Sequence, residues 1–399
     1  MSVKEMIEQQ LEEQFDEVVE WRRYLHQHPE LSYQESETAK FIEAKLRSFG
    51  YEDIRTGLGG HGLTATLQGG EPGPTVALRA DFDALAIIDE KEVPYRSKNP
   101  GVMHACGHDG HTSALLGTAK ALIDYKDHLK GTLVFLFQPA EEIPPGGAQA
   151  MIKDGALDGV DYIYGAHLDS AVPVGQVALG EGFRMAAVDK FQITIKGVGG
   201  HGAAPHKAID PIVVGSDVVS ALQKIISRRI NPLDSALITL GVFQSGNAFN
   251  VIPDTAKLEG TVRSFDPDVR QKVKKQIHNI VEHVTEAFEA GHEIDYLHGY
   301  PALYNNVEET RRLETLFSET FGEDNVVELP TGMGAEDFSY YLQERPGSFF
   351  KVGSQNEDEA THYAHHHPRF DIDERALLNI EKAFVTIIDS ILGLEGGKS

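Results

Sequence analysis

Nine residues, Met103-His104-Ala105-Cys106-Gly107-His108-Asp109-Gly110-His111, hold the only cysteine of the chain together with three histidines. A thiolate two residues from an imidazole is a natural beginning for a first-row transition-metal site. One such pair cannot complete a site, so other ligands have to come from distant parts of the chain. The alternative for Cys106 is a buried apolar residue, which is the more common fate of a free cysteine. The surroundings that the fold brings to this stretch therefore decide its role.

Three predicted strands end in polar residues that suit metal or proton chemistry. Residues 75–78 run into Asp81 and Asp83, residues 133–137 precede Glu141-Glu142, and residues 162–164 precede His167. The run at 133–137 is apolar throughout, as in a strand that is buried on both faces. In open α/β sheets, ligands bind at the carboxyl edge. The sequence therefore predicts an α/β fold with a doubly wound, mostly parallel sheet whose edge gathers the site.

The pattern changes near Asp189. Phe191, Ile193 and Ile195 alternate with polar residues, which is typical of a half-exposed antiparallel strand. From there the predicted order is β-α-β-β-α-β, the order of a ferredoxin-like α+β domain. We therefore predict an inserted domain over residues 189–297, within a discontinuous catalytic domain formed by residues 1–188 and 298–399.

Composition excludes some classes of partner. The chain has 399 residues, of which 41% are hydrophobic, and its 36 basic against 61 acidic residues give a formal charge of -25. This charge argues against nucleic acid or an anionic membrane as the main partner. Met1–Asp16 is charged, and no run of about 18 apolar residues occurs, so neither export nor a membrane span is expected. We expect a cytoplasmic protein.

Glu141 and Glu142 are adjacent carboxylates after a buried strand. Their repulsion and lost hydration are unfavourable unless a cation or a proton takes up the charge. This suggests that one glutamate binds a metal and the other lies over a bound water, whereas the alternative is a solvated acidic turn. His365-His366-His367 is a further source of ligands, but spacing does not indicate which ring points inward.

Cys106, one glutamate and three histidines, drawn from the Cys106 stretch, from His167 and from the triplet at 365–367, would make five ligands. A single tetrahedral ion uses fewer. Two ions a few ångströms apart fit better, with the thiolate between them. Such a pair acidifies water and polarises a carbonyl oxygen, so hydrolysis is the expected reaction.

The chain resembles the metal-dependent amidohydrolase family of N-acyl-amino-acid hydrolases, which includes aminoacylase, hippurate hydrolase, N-acetyldiaminopimelate deacetylase and auxin-conjugate hydrolases. That family lies within the aminoacylase and carboxypeptidase clan of metallopeptidases. The resemblance runs nearly end to end through motifs in the family's order: residues 25–32 (LHQHPELS), 78–85 (LRADFDAL), 103–111, 138–142 (QPAEE), 199–201 (GGH), 250–253 (NVIP), 334–338 (GAEDF) and 366–368 (HHP).

The resemblance implies two divalent metal ions per subunit, either Zn²⁺, Mn²⁺, Co²⁺ or Ni²⁺. Five residues match the family's metal ligands: Cys106, His108, Glu142, His167 and His366. Glu141 matches the general base. Asp83 matches an aspartate kept near the metal centre, and Asp81 stands where related peptidases carry a histidine ligand.

The resemblance also implies a small-molecule substrate, an N-acyl amino acid whose amide is hydrolysed. His201 matches a histidine of the family that reaches the substrate, often from the partner subunit of a dimer, and Asn250 and Arg263 are further candidates for substrate contact. We expect a homodimer or higher homo-oligomer formed through the inserted domain. The alternatives are a dipeptidase or aminopeptidase on the same scaffold, or a metal-dependent binding protein without catalysis. Ala86 and Asp169 depart from residues that are common in the family.

Overall fold

The computed structural model describes residues 1–394 and divides the chain into two compact units. Unit 1 contains Met1–Arg184, Tyr304–Pro330 and the chain from Asp337 onward, and unit 2 contains Met185–Leu303 and Thr331–Glu336. The sequence places the boundaries of the inserted domain at 189 and 297. Residues 395–399, which the sequence assigns to the catalytic domain, lie outside the described part.

Helices and strands are interspersed along both units. The helices are α1 (Val3–Glu13), α2 (Phe15–Gln27), α3 (Ser36–Phe49), α4 (His108–Leu122), α5 (Ala148–Lys153), α6 (Pro211–Arg229), α7 (Pro267–Ala287), α8 (Val307–Phe321), α9 (Phe338–Glu344) and α10 (Arg375–Leu392). The strands are β1 (Ile54–Leu58), β2 (Gly62–Gln68), β3 (Glu71–Asp81), β4 (Lys130–Gln138), β5 (Tyr162–Pro173), β6 (Val177–Leu179), β7 (Gly182–Met185), β8 (Ala187–Lys196), β9 (Gly200–His201), β10 (Ala236–Ser245), β11 (Val251–Ile252), β12 (Thr255–Ser264), β13 (Gly291–His298), β14 (Leu303–Asn305), β15 (Val326–Glu328) and β16 (Gly347–Gln355). Within residues 1–394, none of these helices combines the length and the apolar character that crossing a bilayer requires.

The large sheet of unit 1 has the strand order β1-β2-β4-β3-β5-β16-β6-β15. Its central strands β4, β3, β5 and β16 are parallel. Antiparallel pairing occurs towards the ends, between β1 and β2, between β2 and β4, and between β16 and β6. Helices α3, α4, α8, α9 and α10 pack on the sheet. The predicted α/β fold with a mostly parallel sheet is therefore confirmed, and the parallel strands bring the carboxyl ends of β3, β4 and β5 to one edge.

Unit 2 contains an antiparallel sheet of order β10-β12-β8-β13. Together with α6 and α7 it follows the predicted order β-α-β-β-α-β. Each helix begins at a proline, Pro211 or Pro267, and the preceding aspartate caps the helix by accepting a backbone N–H of the first turn. These local signals explain why both helix starts are predictable from the sequence.

The sequence predicts one helix from Val3 to Gln27, and this prediction is wrong. Helix α1 ends at Glu13 and α2 begins at Phe15. Gln14 lies between them, is buried, and donates through Nε2 to the carbonyl oxygen of Gly117 in α4 at 2.7 Å. The break therefore coincides with a contact to a distant helix, which the periodicity of the sequence does not reveal.

Glu381 on α10 is a carboxyl group buried in the helical packing of unit 1. It is fully buried, and neither of its oxygens has a hydrogen-bond partner among the described residues. It faces Gly117 so closely that an added Cβ there would lie 1.8 Å from Oε1 of Glu381. Burial raises the pKa of Glu381 well above its ordinary value. Between its unfolded and its folded pKa, Glu381 therefore keeps a proton in the folded chain that the unfolded chain releases.

We expect Glu381→Gln to stabilise the protein in a pH-dependent way. The folded-state pKa is raised, so the stability that this group contributes is complete below its unfolded pKa of about 4.3 and falls as pH rises towards the folded value. Urea unfolding at pH 5 and pH 8 measures the effect. The variant's gain is expected to be larger at pH 8 than at pH 5, growing by about 1.4 kcal/mol for each pH unit up to the folded pKa. Glu319→Gln, at an exposed position of α8, is the control, and equal gains at both pH values would contradict the argument.

Candidate metal centre

The Cys106 stretch lies directly before helix α4. Gly107 occupies the N-cap with a φ of +90°, a conformation that glycine adopts without steric cost. The sequence predicts a helix over residues 112–125, but α4 begins four residues earlier, at His108. His108 is therefore fixed on the first turn of a buried helix, while Cys106 remains in the loop before it.

The two imidazoles nearest to Cys106 are oriented by bonds to their Nδ1 atoms. Nδ1 of His108 lies 3.1 Å from Oδ1 of Asp83, and Nδ1 of His167 lies 2.6 Å from the carbonyl oxygen of Leu168. Because both partners only accept, each ring donates a proton through Nδ1, so Nε2 is the atom that can bind a metal once it has no proton. This is the usual arrangement of metal-binding histidines, in which a second group fixes the tautomer.

Cys106 belongs to two groups of potential ligands. In one group, ligand atoms of Cys106, His108 and His167 all lie within 4.8 Å of one another, and in the other the same holds for Cys106, Glu142 and His366. Sγ of Cys106 is 3.4 Å from Nε2 of His167, and Oε1 of Glu142 is 3.3 Å from Nε2 of His366. The structure thus brings all five predicted ligands together, with the thiol common to both groups.

Glu141 lies beside these groups. It is buried, and one of its carboxylate oxygens lies within 4.8 Å of ligand atoms of His108 and Glu142. Its neighbour Glu142 donates its backbone N–H to Oδ2 of Asp83 at 3.0 Å. The two adjacent glutamates therefore both reach the site, which fits a division into one ligand and one base.

The charges around the site suit cations. Burial, followed by Glu142 and Glu141, raises the pKa of the Cys106 thiol well above its ordinary value. Burial alone would lower the pKa of His108, but Asp81, Asp83 and Glu142 raise it to about 10. The carboxylates that contribute to both shifts create a negative potential, which bound cations would offset while releasing the protons of the ligands.

His366 is the member of the histidine triplet that joins the ligand groups. It has a positive φ of +66°, and its backbone N–H donates to the carbonyl oxygen of Ala105 at 2.7 Å. Nε2 of His365 instead bonds to the carbonyl oxygen of Leu168 at 2.9 Å. His367 stacks on Tyr363, with 4.4 Å between the ring centroids. The structure therefore separates three histidines that spacing alone leaves equivalent, and it places His366, the residue chosen by resemblance, among the ligand groups.

Asp81 supports the site through its neighbours. Its Oδ2 accepts from Arg79 at 2.7 Å, and its Oδ1 is 2.6 Å from Nδ1 of His111. Nε2 of His111 in turn accepts the N–H of Leu168 at 2.9 Å. Asp81, Arg79 and His111 therefore form a buried link between the end of β3 and the strand that carries His167.

The predicted substrate residues belong to unit 2. His201 on β9 and Asn250 are exposed, and Gly202 donates its N–H to the carbonyl oxygen of Asn250 at 2.9 Å, so these two candidates lie on adjoining segments. Arg263 is half-buried on β12, where it pairs with Val188 and Leu237. Burial lowers the pKa of Arg263.

Asp169, one of the two departures from the family pattern, has a partner of its own. Its Oδ2 accepts from Nζ of Lys351 at 2.7 Å. Burial alone would raise the pKa of Asp169, but Lys351 lowers it. The residue two places after His167 thus contributes an ion pair where an aromatic side chain is common.

Sequence reasoning missed the support that residues 32–35 give to the site. Ser32 donates to Oδ2 of Asp83 at 2.7 Å, and Oε1 of Glu35 accepts the N–H of Ala140 at 2.8 Å. Glu35 is fully buried in unit 1. The only signal in the sequence was that the family motif at residues 25–32 leads directly into this segment.

The hydrogen bonding of two buried atoms shows whether the residues fit a metal. Nε2 of His108 is buried and makes no hydrogen bond within the described residues, and Oε1 of Glu142 is buried 3.3 Å from Nε2 of His366 without hydrogen-bond geometry. Buried polar atoms of this kind are costly unless a ligand satisfies them. A thiol, imidazoles and a carboxylate are a donor set suited to divalent transition metals. The residues therefore fit two divalent ions.

Comparison with known proteins gives the family. The sequence profile of peptidase family M20/M25/M40 matches residues 77–390, which is most of the chain. The chain belongs to this family. Membership confirms the predicted resemblance, and because the family consists of peptidases and related hydrolases, it also confirms the expectation of an enzyme.

Individual relatives also match most of the chain. The Bacillus subtilis protein YhaA is 50% identical over 381 residues, which is 96% of each chain. An N-acyl-L-amino acid amidohydrolase of Geobacillus stearothermophilus is 46% identical over 302 residues, covering 76% of this chain and 81% of that protein. The crystal structure of the Bacillus subtilis YXEP protein, described as a dinuclear metal-binding peptidase of the M20 family, has a TM-score of 0.81 at 36% identity and covers 95% of this chain and 98% of that one.

Proposed function

We propose that this M20 enzyme hydrolyses the amide bond of N-acyl amino acids to a carboxylate and a free amino acid, with two divalent ions per subunit. The observation that carries the proposal is Glu141 beside two ligand groups that share Cys106. Similarity to the amidohydrolase of Geobacillus stearothermophilus supports the substrate class. The cytoplasm is the proposed compartment, because reducing conditions there keep a ligand thiol available.

Cys106 would be shared by the two ions, with His108 and His167 on one side and Glu142 and His366 on the other. When bound, such ions acidify water and polarise the acyl oxygen. Glu141 would take a proton from the attacking water and deliver it to the leaving nitrogen, acting first as base and then as acid. Asp83 would hold His108 in the tautomer that leaves Nε2 for the metal.

A second candidate is a dipeptidase or aminopeptidase on the same scaffold. The substrate distinguishes the two, because an N-acyl amino acid has a blocked α-amine whereas a peptide substrate presents a free one. A metal-dependent binding protein without catalysis is disfavoured by the intact pair Glu141 and Glu142. Metal-dependent amide hydrolysis by the reloaded protein would exclude it.

The test is a hydrolysis screen of chelated protein reloaded with Zn²⁺, Mn²⁺, Co²⁺ or Ni²⁺. The panel contains N-acetyl, N-benzoyl and longer N-acyl amino acids, each matched with a dipeptide of the same C-terminal residue. We expect turnover of the blocked substrates, and release of the free amino acid is the measurement. Turnover of the free-amine peptides alone would support the second candidate instead.

We further propose a homodimer formed through unit 2, in which His201 of one subunit contacts substrate bound by the other. Strand β10 lies at the edge of its sheet, and Phe243 and Phe249 are exposed. Asn250 and Arg263 are secondary candidates for substrate contact. An unpaired strand edge beside exposed apolar side chains favours pairing with a second copy.

Co-expression of two defective variants tests the homodimer. Glu141→Gln and His201→Ala are each expected to be inactive alone, but a mixed dimer contains one site with both residues intact. Random assortment of subunits would restore roughly a quarter of the sites. Light scattering gives the subunit count. A monomer, or a co-expressed sample that remains inactive, would contradict His201 acting from the partner.

A further inference from the structure

The loop that carries the two glutamates contains a strained residue. This loop, residues 139–147, follows β4, and we call it the glutamate loop. Ala140 within it is fully buried and has a φ of +54°. Residues other than glycine rarely adopt this left-handed conformation, and they keep it only where the surroundings enforce it. Because Ala140 directly precedes Glu141, its conformation sets the direction in which Glu141 leaves the backbone.

Glu35 is bonded to the strained residue. Its Oε1 accepts the N–H of Ala140 at 2.8 Å, and the N–H of Gly147 donates to the carbonyl oxygen of Ala140 at 3.0 Å. The peptide groups on both sides of Ala140 are therefore held. Oε2 of Glu35 is buried without a hydrogen-bond partner in the described part of the chain. Only Oε1 of Glu35 thus forms the hydrogen bond that holds Ala140.

Neighbours of Glu35 bond to the same loop and to its support. The hydroxyl of Tyr33 donates to the carbonyl oxygen of Ile143 at 2.9 Å. Ser32 donates to Oδ2 of Asp83 at 2.7 Å, and this oxygen also accepts the N–H of Glu142. Residues 32–35 therefore contact the glutamate loop along its length, with Glu35 at the strained point.

We propose that Glu35 is a positioning residue of the hydrolytic site, whose buried carboxyl group holds Ala140 in its left-handed conformation and thereby aims Glu141. This inference rests on the proposed function, since Glu141 is taken as the base. A general base has to lie within hydrogen-bond reach of the proton that it takes. A misplacement of about 1 Å costs on the order of 100-fold in rate, so an unsupported Ala140 would lower kcat.

Because Glu35 has to reach the N–H of Ala140, the length of its side chain matters more than its charge. Burial raises the pKa of Glu35 to about 7, so a neutral group is tolerated at this position. Glutamine keeps the length and the accepting oxygen, whereas aspartate keeps the carboxyl group but is one methylene shorter. Glu35→Gln and Glu35→Asp therefore separate reach from charge.

The experiment compares these variants with and without Ala140→Gly. We expect Glu35→Asp to lower kcat about 10- to 100-fold, with KM and bound metal unchanged, and Glu35→Gln to stay within about threefold of wild type. Adding Ala140→Gly to Glu35→Asp is expected to restore most of the lost kcat, because glycine adopts a positive φ without support. A residue that supports only stability would not be rescued in this way.

Hydrogen exchange of the Ala140 amide is a readout that does not need turnover. We expect at least about tenfold faster exchange in Glu35→Asp than in wild type, and little change in Glu35→Gln. If the wild type hydrolyses no amide, the proposed function fails while this measurement still tests the contact. Unchanged exchange in Glu35→Asp, equal loss of kcat in both variants, or a defect in kcat or folding that Ala140→Gly does not restore would overturn the proposal.

Discussion

Replacing Glu141 with glutamine is expected to lower kcat by about 10²- to 10⁴-fold, the usual contribution of a general acid or base. Glutamine matches the size of the buried glutamate but cannot take a proton from water. The five proposed metal ligands are unchanged, so we expect the variant to bind as much metal as the wild type. Single-turnover hydrolysis of an N-acyl amino acid, with metal content measured on the same sample, tests the expectation.

Glu142→Gln is the matched control, because it makes the same chemical change at the adjacent residue. Glu142 is a member of the ligand group with Cys106 and His366, so its variant is expected to lose metal as well as activity. Near-normal turnover in metal-replete Glu141→Gln would remove Glu141 from the role of base. Loss of metal in both variants would make Glu141 a ligand instead.

The position of the site was predictable because it depends on strand ends. Asp83 and Glu141 follow β3 and β4, whose patterns are evident in the sequence, and the parallel strands β3, β4 and β5 bring them to the same edge as His167. His167 itself lies within β5, which continues to Pro173, beyond the strand end that the sequence predicts before this residue. The start of α7 was equally predictable, since Asp266 and Pro267 are local signals. Such features depend on neighbours in the chain, which a sequence shows directly.

What the sequence did not show depends on contacts between distant segments. Gln14, at the break between two helices, bonds to Gly117 in α4, and the ring of His365 bonds to Leu168 while the backbone of His366 bonds to Ala105. Glu35 is a further example, because its hydrogen-bond partner Ala140 lies 105 residues further along the chain. No periodicity or spacing encodes such pairs.

Cys106→Ala is expected to have the second large effect, the loss of both metal ions. Each ligand group would keep only two protein ligands, His108 with His167 and Glu142 with His366. Two ligands hold a divalent transition metal far less well than three or four. His366→Ala, by contrast, leaves the group of Cys106, His108 and His167 intact. We therefore expect less than one ion per subunit in Cys106→Ala and about one in His366→Ala.

Metal analysis after equilibration with limiting Zn²⁺ separates these outcomes, and His367→Ala is the control. His367 lies next to His366 but stacks on Tyr363 outside both ligand groups, so its variant is expected to keep both ions. Because Cys106 is the only cysteine, a thiol reagent reports on this site alone, and bound metal should slow its reaction. If Cys106→Ala loses no more metal than His366→Ala, or if metal leaves thiol reactivity unchanged, the thiol is not shared, and the two ions have to be assigned to separate sets of ligands.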